Sequence, residues 1–124
     1  MASSKQDISL YSKIFNVLPA PAIVFFRKRG AKPMANDAAR QLFGTQLMPL
    51  VRSQFFREQS DVTRKYPASE LPWILALAKG VGAVRDDLFL QRKESEAPKR
   101  LKAFAMPIFE GKNIIAVVAT FQEI

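Results

Sequence analysis

Leu18-Pro19-Ala20-Pro21-Ala22-Ile23-Val24-Phe25-Phe26 runs into Arg27-Lys28-Arg29-Gly30-Ala31-Lys32. Met34-Ala35-Asn36-Asp37-Ala38-Ala39-Arg40-Gln41-Leu42-Phe43-Gly44 follows, and the order of these segments decides the fold. An apolar run, a basic turn through Gly30 and a second short run read as a β-hairpin delivered straight into a helix. Asn36 stands where its side chain can accept a free N–H of the first helical turn, with Asp37 favourable beside it. Gly44 is expected to close the helix in a left-handed conformation.

Upstream, residues 5–18 read as an amphipathic helix, with Ile8, Tyr11, Phe15 and Leu18 on one stripe and Leu10, Ile14 and Val17 beside it. That face is too broad to leave in water, so it is expected to pack on the domain's own sheet or on a second chain. Pro19 and Pro21 stop the helix and force an extended entry to the first strand. Downstream, Leu47, Leu50, Val51, Phe55 and Phe56 suggest one or two helical turns, and Asp61 to Lys65 an exposed loop. A clearer helix begins near Ser69, because Pro72 is tolerated only in a first turn and Gly80 offers a stop. Three strands should follow over 83–93, 100–109 and 113–121, the last two joined by a tight turn at Glu110-Gly111. Asp86-Asp87 is the one adjacent acid pair. Neighbours on a strand point to opposite faces, so the two carboxylates read as separately solvated.

A chain of 124 residues with 48% hydrophobic residues, ten of them Phe, can bury one real core. The domain expectation is an N-terminal helix over 1–18 and a single domain over 19–124. With no Cys and no His, disulfides, thiolate nucleophiles, Ser-His-Asp triads, Cys/His zinc sites and His-ligated haem are all excluded from within the chain. No nucleophile and base suggest themselves, so no enzymatic activity and no metal site are expected. Lys5, Asp7 and Lys13 interrupt any secretory signal, and the longest apolar run, 114–119, is too short to span a bilayer, which makes a cytoplasmic location the expectation. The net charge of +8 raises the alternative of a small basic domain that binds nucleic acid or another polyanion. Its sharpest cluster, Arg27 to Lys32, also reads as a solvated hairpin turn.

The hairpin-into-capped-helix order resembles the opening of a PAS domain, a sensing and dimerisation module of signalling proteins. Two further stretches carry the resemblance. Tyr66-Pro67-Ala68-Ser69-Glu70-Leu71-Pro72-Trp73 through Lys79-Gly80 is similar to the segment before the third PAS strand. Ala105-Met106-Pro107-Ile108-Phe109-Glu110-Gly111-Lys112 to Phe121-Gln122-Glu123-Ile124 is similar to the family's last hairpin. The resemblance implies an α+β fold: a five-stranded antiparallel sheet with helices on one face and an N-terminal amphipathic helix. The family's strand order places the first turn and the loop around Ser95 to Pro98 at opposite ends of the sheet. Arg27 occupies a place where the family often has an acid, and Glu123 stands where it carries the acid of its junction into a signalling helix. That junction suggests a sensor cut from a longer protein, although a free-standing module would look the same.

In the family's register Leu101, Ala103 and Ala105 face inward on one strand, and Ile115, Val117, Ala119 and Phe121 on the next. Phe104, Met106, Ile114, Ala116 and Val118 then face outward. Small residues at the centre of the sheet leave two alternatives. Either Phe43, Phe55 and Trp73 fill the space, or a pocket remains for a small ligand, with Val24, Phe26 and Asn36 completing its lining. Without a Cys or His, neither a flavin–thiol adduct nor His-ligated haem is expected, and the cofactor stays unspecified. The outer patch at Phe104, Met106 and Val118, with Ile8, Tyr11, Ile14, Phe15 and Leu18 of the N-terminal helix, is the expected interaction face of a homodimer. The implied function is regulation of an attached or partner effector, a histidine kinase or transcription regulator, and nucleic acid is not an expected partner.

Overall fold

The structure, a computed structural model, describes residues 5–44, 55–58, 61–90 and 97–124. Helix α1 (Lys5–Val17) leads to strand β1 (Ala22–Phe26), β2 (Met34–Ala35) and helix α2 (Asp37–Phe43). Strands β3 (Phe55–Glu58) and β4 (Asp61–Lys65) follow, then a 3-10 turn (Ala68–Glu70), helix α3 (Pro72–Lys79), and strands β5 (Ala83–Leu90), β6 (Lys99–Glu110) and β7 (Asn113–Glu123). All pairings are antiparallel and give one sheet in the order β2-β1-β7-β6-β5-β3-β4. The five expected strands form its body in the expected α+β arrangement, and β3 and β4 extend one edge.

That extension corrects two readings. Phe55 and Phe56 lie in a strand rather than a helical turn, because Phe55 pairs with Leu90 and Phe56 with Phe89. Asp61 to Lys65 is not a loop but the outermost strand, paired with β3. Leu47, Leu50 and Val51 lie outside the described residues. Short strands with charged residues are common at sheet edges, where they discourage further pairing, and their mixed polarity hides them from pattern reading.

Local chemistry explains the helix ends. Asn36 caps α2, its Oδ1 accepting the Ala39 N–H at 2.9 Å. Gly44 ends that helix at φ 88° and ψ −172°, donating its N–H to Arg40 O at 2.8 Å; φ is positive as expected, but ψ lies outside the left-handed helical region, in territory only glycine reaches. Pro72 sits in the first turn of α3 and Gly80, at φ 70° and ψ 22°, ends it.

α3 packs across β5, β6 and β7, α2 lies against β1 and β2, and α1 touches α2. The helices therefore cover one face, as expected. Register then assigns every sheet residue to a face, since directly paired residues point the same way. On the helix-covered inner face, one row crosses Ala83, Ala105, Ala119, Ile23 and Ala35, and its neighbour crosses Pro107, Val117 and Phe25. On the outer face, rows cross Val84, Phe104 and Thr120; Met106, Val118, Val24 and Met34; and Ile108, Ala116 and Phe26.

Two expected orientations change. Val24 and Phe26 belong to the outer face; Ile23 and Phe25 point inward, because they pair with the inward Ala119 and Val117. In β7 a bulge separates the pairs Ile108–Ala116 and Phe109–Ile114, leaving Ile115 as an extra residue that reverses the alternation beyond it. Ile115 is therefore exposed, while Ile114 turns toward the end of α3, where a Cβ at Gly80 would lie 3.3 Å from its Cδ1. Ala116 is on the outer face as expected yet buried, since its small side chain is flanked by the larger Phe26 and Ile108.

Candidate functional site

The inner face collects most of the residues expected to line a pocket. Leu101, Ala103, Ala105, Val117, Ala119 and Phe121 are buried on the sheet, with Phe43, Phe55 and Trp73 buried above them. The space over the alanines is taken up in two ways. Ala39 of α2 and Ala76 of α3, both fully buried, are small enough for their helices to sit close to the sheet. Aromatic rings fill what remains. Phe43 meets Phe121 edge-on at 4.8 Å, Trp73 stacks on Phe25 at 5.3 Å, and Phe55 lies 5.5 Å from Trp73 and 6.1 Å from Phe43. Offset and edge-to-face pairs of this kind each add about 0.5–1.5 kcal/mol beyond their buried area. One polar atom within this cluster is left over: Trp73 Nε1, buried and without a hydrogen-bond partner among the described residues.

Asn36 is fully buried but every one of its bonds is structural. Besides the cap on Ala39, Oδ1 accepts the Ala22 N–H at 3.0 Å and Nδ2 donates to Ala20 O at 2.8 Å. One amide thus fastens the start of α2 to the entry of β1 and to the linker behind it. Its capping half is legible from sequence; its grip on residues 20 and 22 depends on tertiary placement.

The outer face is the site that the residues leave open. Phe104, Met106 and Val84 are largely exposed, Met106 at 57%, with Val118 and Val24 partly so, and Lys102 Nζ lies 5.0 Å from the centre of the Phe104 ring. Helix α1 does not cover this face. Leu10, Tyr11, Ile14, Val17 and Leu18 are exposed and Phe15 is half-buried, while the side chain of Ile8 lies outside the described residues. Two open apolar hollows adjoin this face, and the second of them includes residues of α1. One, of about 620 Å³, is lined by Pro19, Pro21, Leu42, Phe104 and Thr120 among others; the second, of about 390 Å³, by Tyr11, Ser12, Phe15 and Met34. The second hollow sets Tyr11 and Phe15 of α1 beside Met34, which shares an outer-face row with Met106 and Val118.

Sequence reading missed a polar cluster on the β4–β5 side. Tyr66 donates its hydroxyl to Asp87 Oδ1 at 2.6 Å, and the Arg57 guanidinium sits 5.4 Å over the Tyr66 ring while pairing with Glu70 at 2.9 Å. Burial, and after it the bond to Asp87, pushes the Tyr66 phenol well above its ordinary range. A second bulge, between Arg85 and Leu88, gives the two acids different partners: Asp87 holds Tyr66, and Asp86 offers its carbonyl to Arg100 Nε at 2.8 Å. The acid pair is not simply solvated, and the bulge removes the regular alternation on which its expected divergence rested. Among the described residues no group of acidic side chains is placed to hold a metal ion, and no helix is long and apolar enough to cross a membrane.

No family model and no curated protein sequence matches the chain. Solved structures do. The PAS domain of BvgS from Bordetella pertussis superposes with a TM-score of 0.54 at 10% identity, over 95% of this chain and 85% of that one. The PAS domain of a protein from Colwellia psychrerythraea superposes with a TM-score of 0.57 at 11% identity, over 95% and 97%. The class is therefore fixed by architecture: this chain has a PAS-like fold, as its sequence motifs implied.

Proposed function

We propose that the chain is a sensory and dimerisation module that regulates an attached or partner signalling effector, of the histidine kinase or transcription regulator kind, and performs no catalysis itself. One observation carries the reading. The outer face of the sheet presents Val84, Phe104, Met106 and Val118 to solvent, and α1 and the residue after it present Tyr11, Ile14 and Leu18. Two dry surfaces on a small domain are an unusual load for a monomer, and a second copy offering the same helix and face would cover both. The hollows beside Phe104 and beside Tyr11 and Met34 supply concave seats for the partner's side chains.

Signal input is assigned to the core. Any displacement of the Trp73–Phe25–Phe121 stack moves β1 and β7, whose other faces form the docking surface. Light scattering across a concentration series tests the assembly. Wild type is expected to dimerise, and Ile14→Glu and Met106→Glu, both at exposed positions, are each expected to give folded monomers. A wild type that stays monomeric at high concentration refutes the reading.

A further inference from the structure

The two turns at one end of the sheet form a surface of their own. Register places Phe26, Ala116 and Ile108 side by side in the last row that β1 shares with β7 and β6, and the Arg27 N–H donates to Ile115 O at 3.0 Å, so the basic turn leaves directly from the bulge. The turn is closed by the Ala31 N–H on Lys28 O at 3.1 Å. The end of α3 arrives at the same place, where a Cβ at Gly80 would stand 3.8 Å from Phe109 Cζ.

Charge and apolar exposure coincide there. Residues 26–33, 79–82 and 108–115 hold the cations Arg27, Lys28, Arg29, Lys32, Lys79 and Lys112 against one acid, Glu110. None of these cations pairs with a carboxylate among the described residues, whereas Arg40, Arg57, Lys99 and Arg100 elsewhere each do. Between them Phe26, Val81, Ile108, Phe109 and Ile115 are exposed, Phe109 at 50% and Val81 at 58%.

We propose that this end of the domain docks on an anionic lipid bilayer, with the cations at the headgroup phosphates and Phe109, Ile115 and Val81 dipping into the acyl boundary. Charge complementarity selects a polyanion, and the aliphatic side chains select lipid over nucleic acid. Ile and Val offer neither a π-face for a base to stack on nor a hydrogen bond to a base edge, but they gain when removed from water at a membrane interface. The surface is also a pair of projecting turns, which suits a plane better than it suits a helical groove. Its inserting residues Phe109, Ile115 and Val81 lie at the end of the sheet and are not among the outer-face residues of the dimer reading, so docking does not depend on that reading.

Vesicles of phosphatidylglycerol mixed with phosphatidylcholine, and of phosphatidylcholine alone, test the proposal by co-sedimentation of the full chain. Binding is expected to the anionic vesicles only, and to be lost at about 1 M salt, where the screening length falls to roughly 3 Å. Each cation removed should weaken partitioning about fivefold, so changing Arg27, Lys28, Arg29 and Lys32 together to Ser should weaken it by roughly several hundredfold. The double change Phe109→Ser and Ile115→Ser, at unaltered charge, should also weaken it. In case that variant unfolds, Phe109→Trp provides a second readout, and the emission of the introduced indole should shift to the blue on anionic vesicles. Equal binding to neutral vesicles, no binding at all, or an unshifted emission from the vesicle-bound Phe109→Trp variant would overturn the proposal. Saturable binding to a short RNA or DNA duplex that displaces the vesicles, lost with the four-cation change, would assign the cations to nucleic acid instead.

Discussion

Replacing Asn36 with Ala removes three hydrogen bonds with one substitution, and the structure says how unequal they are. Loss of the cap on Ala39 costs about 1 kcal/mol, the usual effect of deleting an N-cap side chain. The Ala22 N–H then loses its partner in a buried setting, for about 1–3 kcal/mol. Ala20 is exposed, so its carbonyl can turn to water and adds a few tenths at most. The total is about 2–4 kcal/mol, a large part of the roughly 5–15 kcal/mol that holds an ordinary domain folded. For a chain of this size that corresponds to a melting temperature lower by about 8–16 °C. Urea unfolding followed by Trp73 emission measures it, with an unchanged slope confirming that the folded state is the same. Asn36→Ser restores the cap but cannot span to Ala22, and should recover only about 1 kcal/mol. If Ala and Ser variants both fall within about 1 kcal/mol of wild type, Asn36 is a cap alone and its grip on β1 contributes nothing.

Ala119→Leu adds a branched side chain to the alanine row beneath the helices; overpacking should cost about 1–3 kcal/mol, and a variant as stable as wild type would show that a cavity remains there. Tyr66 should make the domain sensitive to alkali. Its raised folded-state pKa means that the unfolded chain releases the phenol proton first, above the ordinary value of 10.0. The contribution is therefore present below that pH and is lost as pH rises through the folded-state value. Tyr66→Phe should flatten this alkaline fall and remove about 1 kcal/mol at neutral pH, the lower range being appropriate because Asp87 is only half-buried; a Phe variant with an unchanged alkaline limb would exclude the linkage.

Much of the fold was legible because its signals are short-range. Pro19, Pro21 and Pro72 restrict the backbone directly, Asn36 caps whichever helix follows it, and the β6–β7 hairpin alternates cleanly from Leu101 to Ala105. Where the reading failed, the missing information was tertiary. β1 is apolar at all five positions, so no pattern within Ala22–Phe26 says whether Val24 and Phe26 or Ile23 and Phe25 face the core; pairing with β7 decides it. The bulge at Ile115 likewise leaves no local mark in the continuous run Ile114-Ile115-Ala116-Val117-Val118. β3 opens on the adjacent pair Phe55-Phe56, which fits a helical turn as well as a strand, and β4 has a single apolar residue, Val62; pairing beside β5 is what distinguishes them. The outward orientation of Phe104, Met106 and Val118 was legible, since wherever inward residues alternate correctly the outward ones are fixed with them.

An identity of 10–11% to the two PAS domains shows how little of the fold depends on particular side chains. Pattern, turn chemistry and total core volume suffice to select an architecture, and many fillings satisfy them. This chain's filling is a row of alanines under closely seated helices, with aromatic rings in the remaining space. Such a core transmits strain well, because rings in contact cannot yield separately. Phe25 and Phe121 also belong to strands whose opposite faces carry Val24 and Thr120 on the exposed side, so a shift inside is felt outside within one strand thickness. What the fold does not require, and this chain carries, is an apolar outer face with exposed apolar residues of α1, and cations at one end of the sheet that pair with no carboxylate among the described residues. Exposed apolar groups do not help a domain stay soluble on its own, and like charges gathered at one end keep it soluble but cost self-repulsion in the folded state, so these are the two features on which the proposed partners would act.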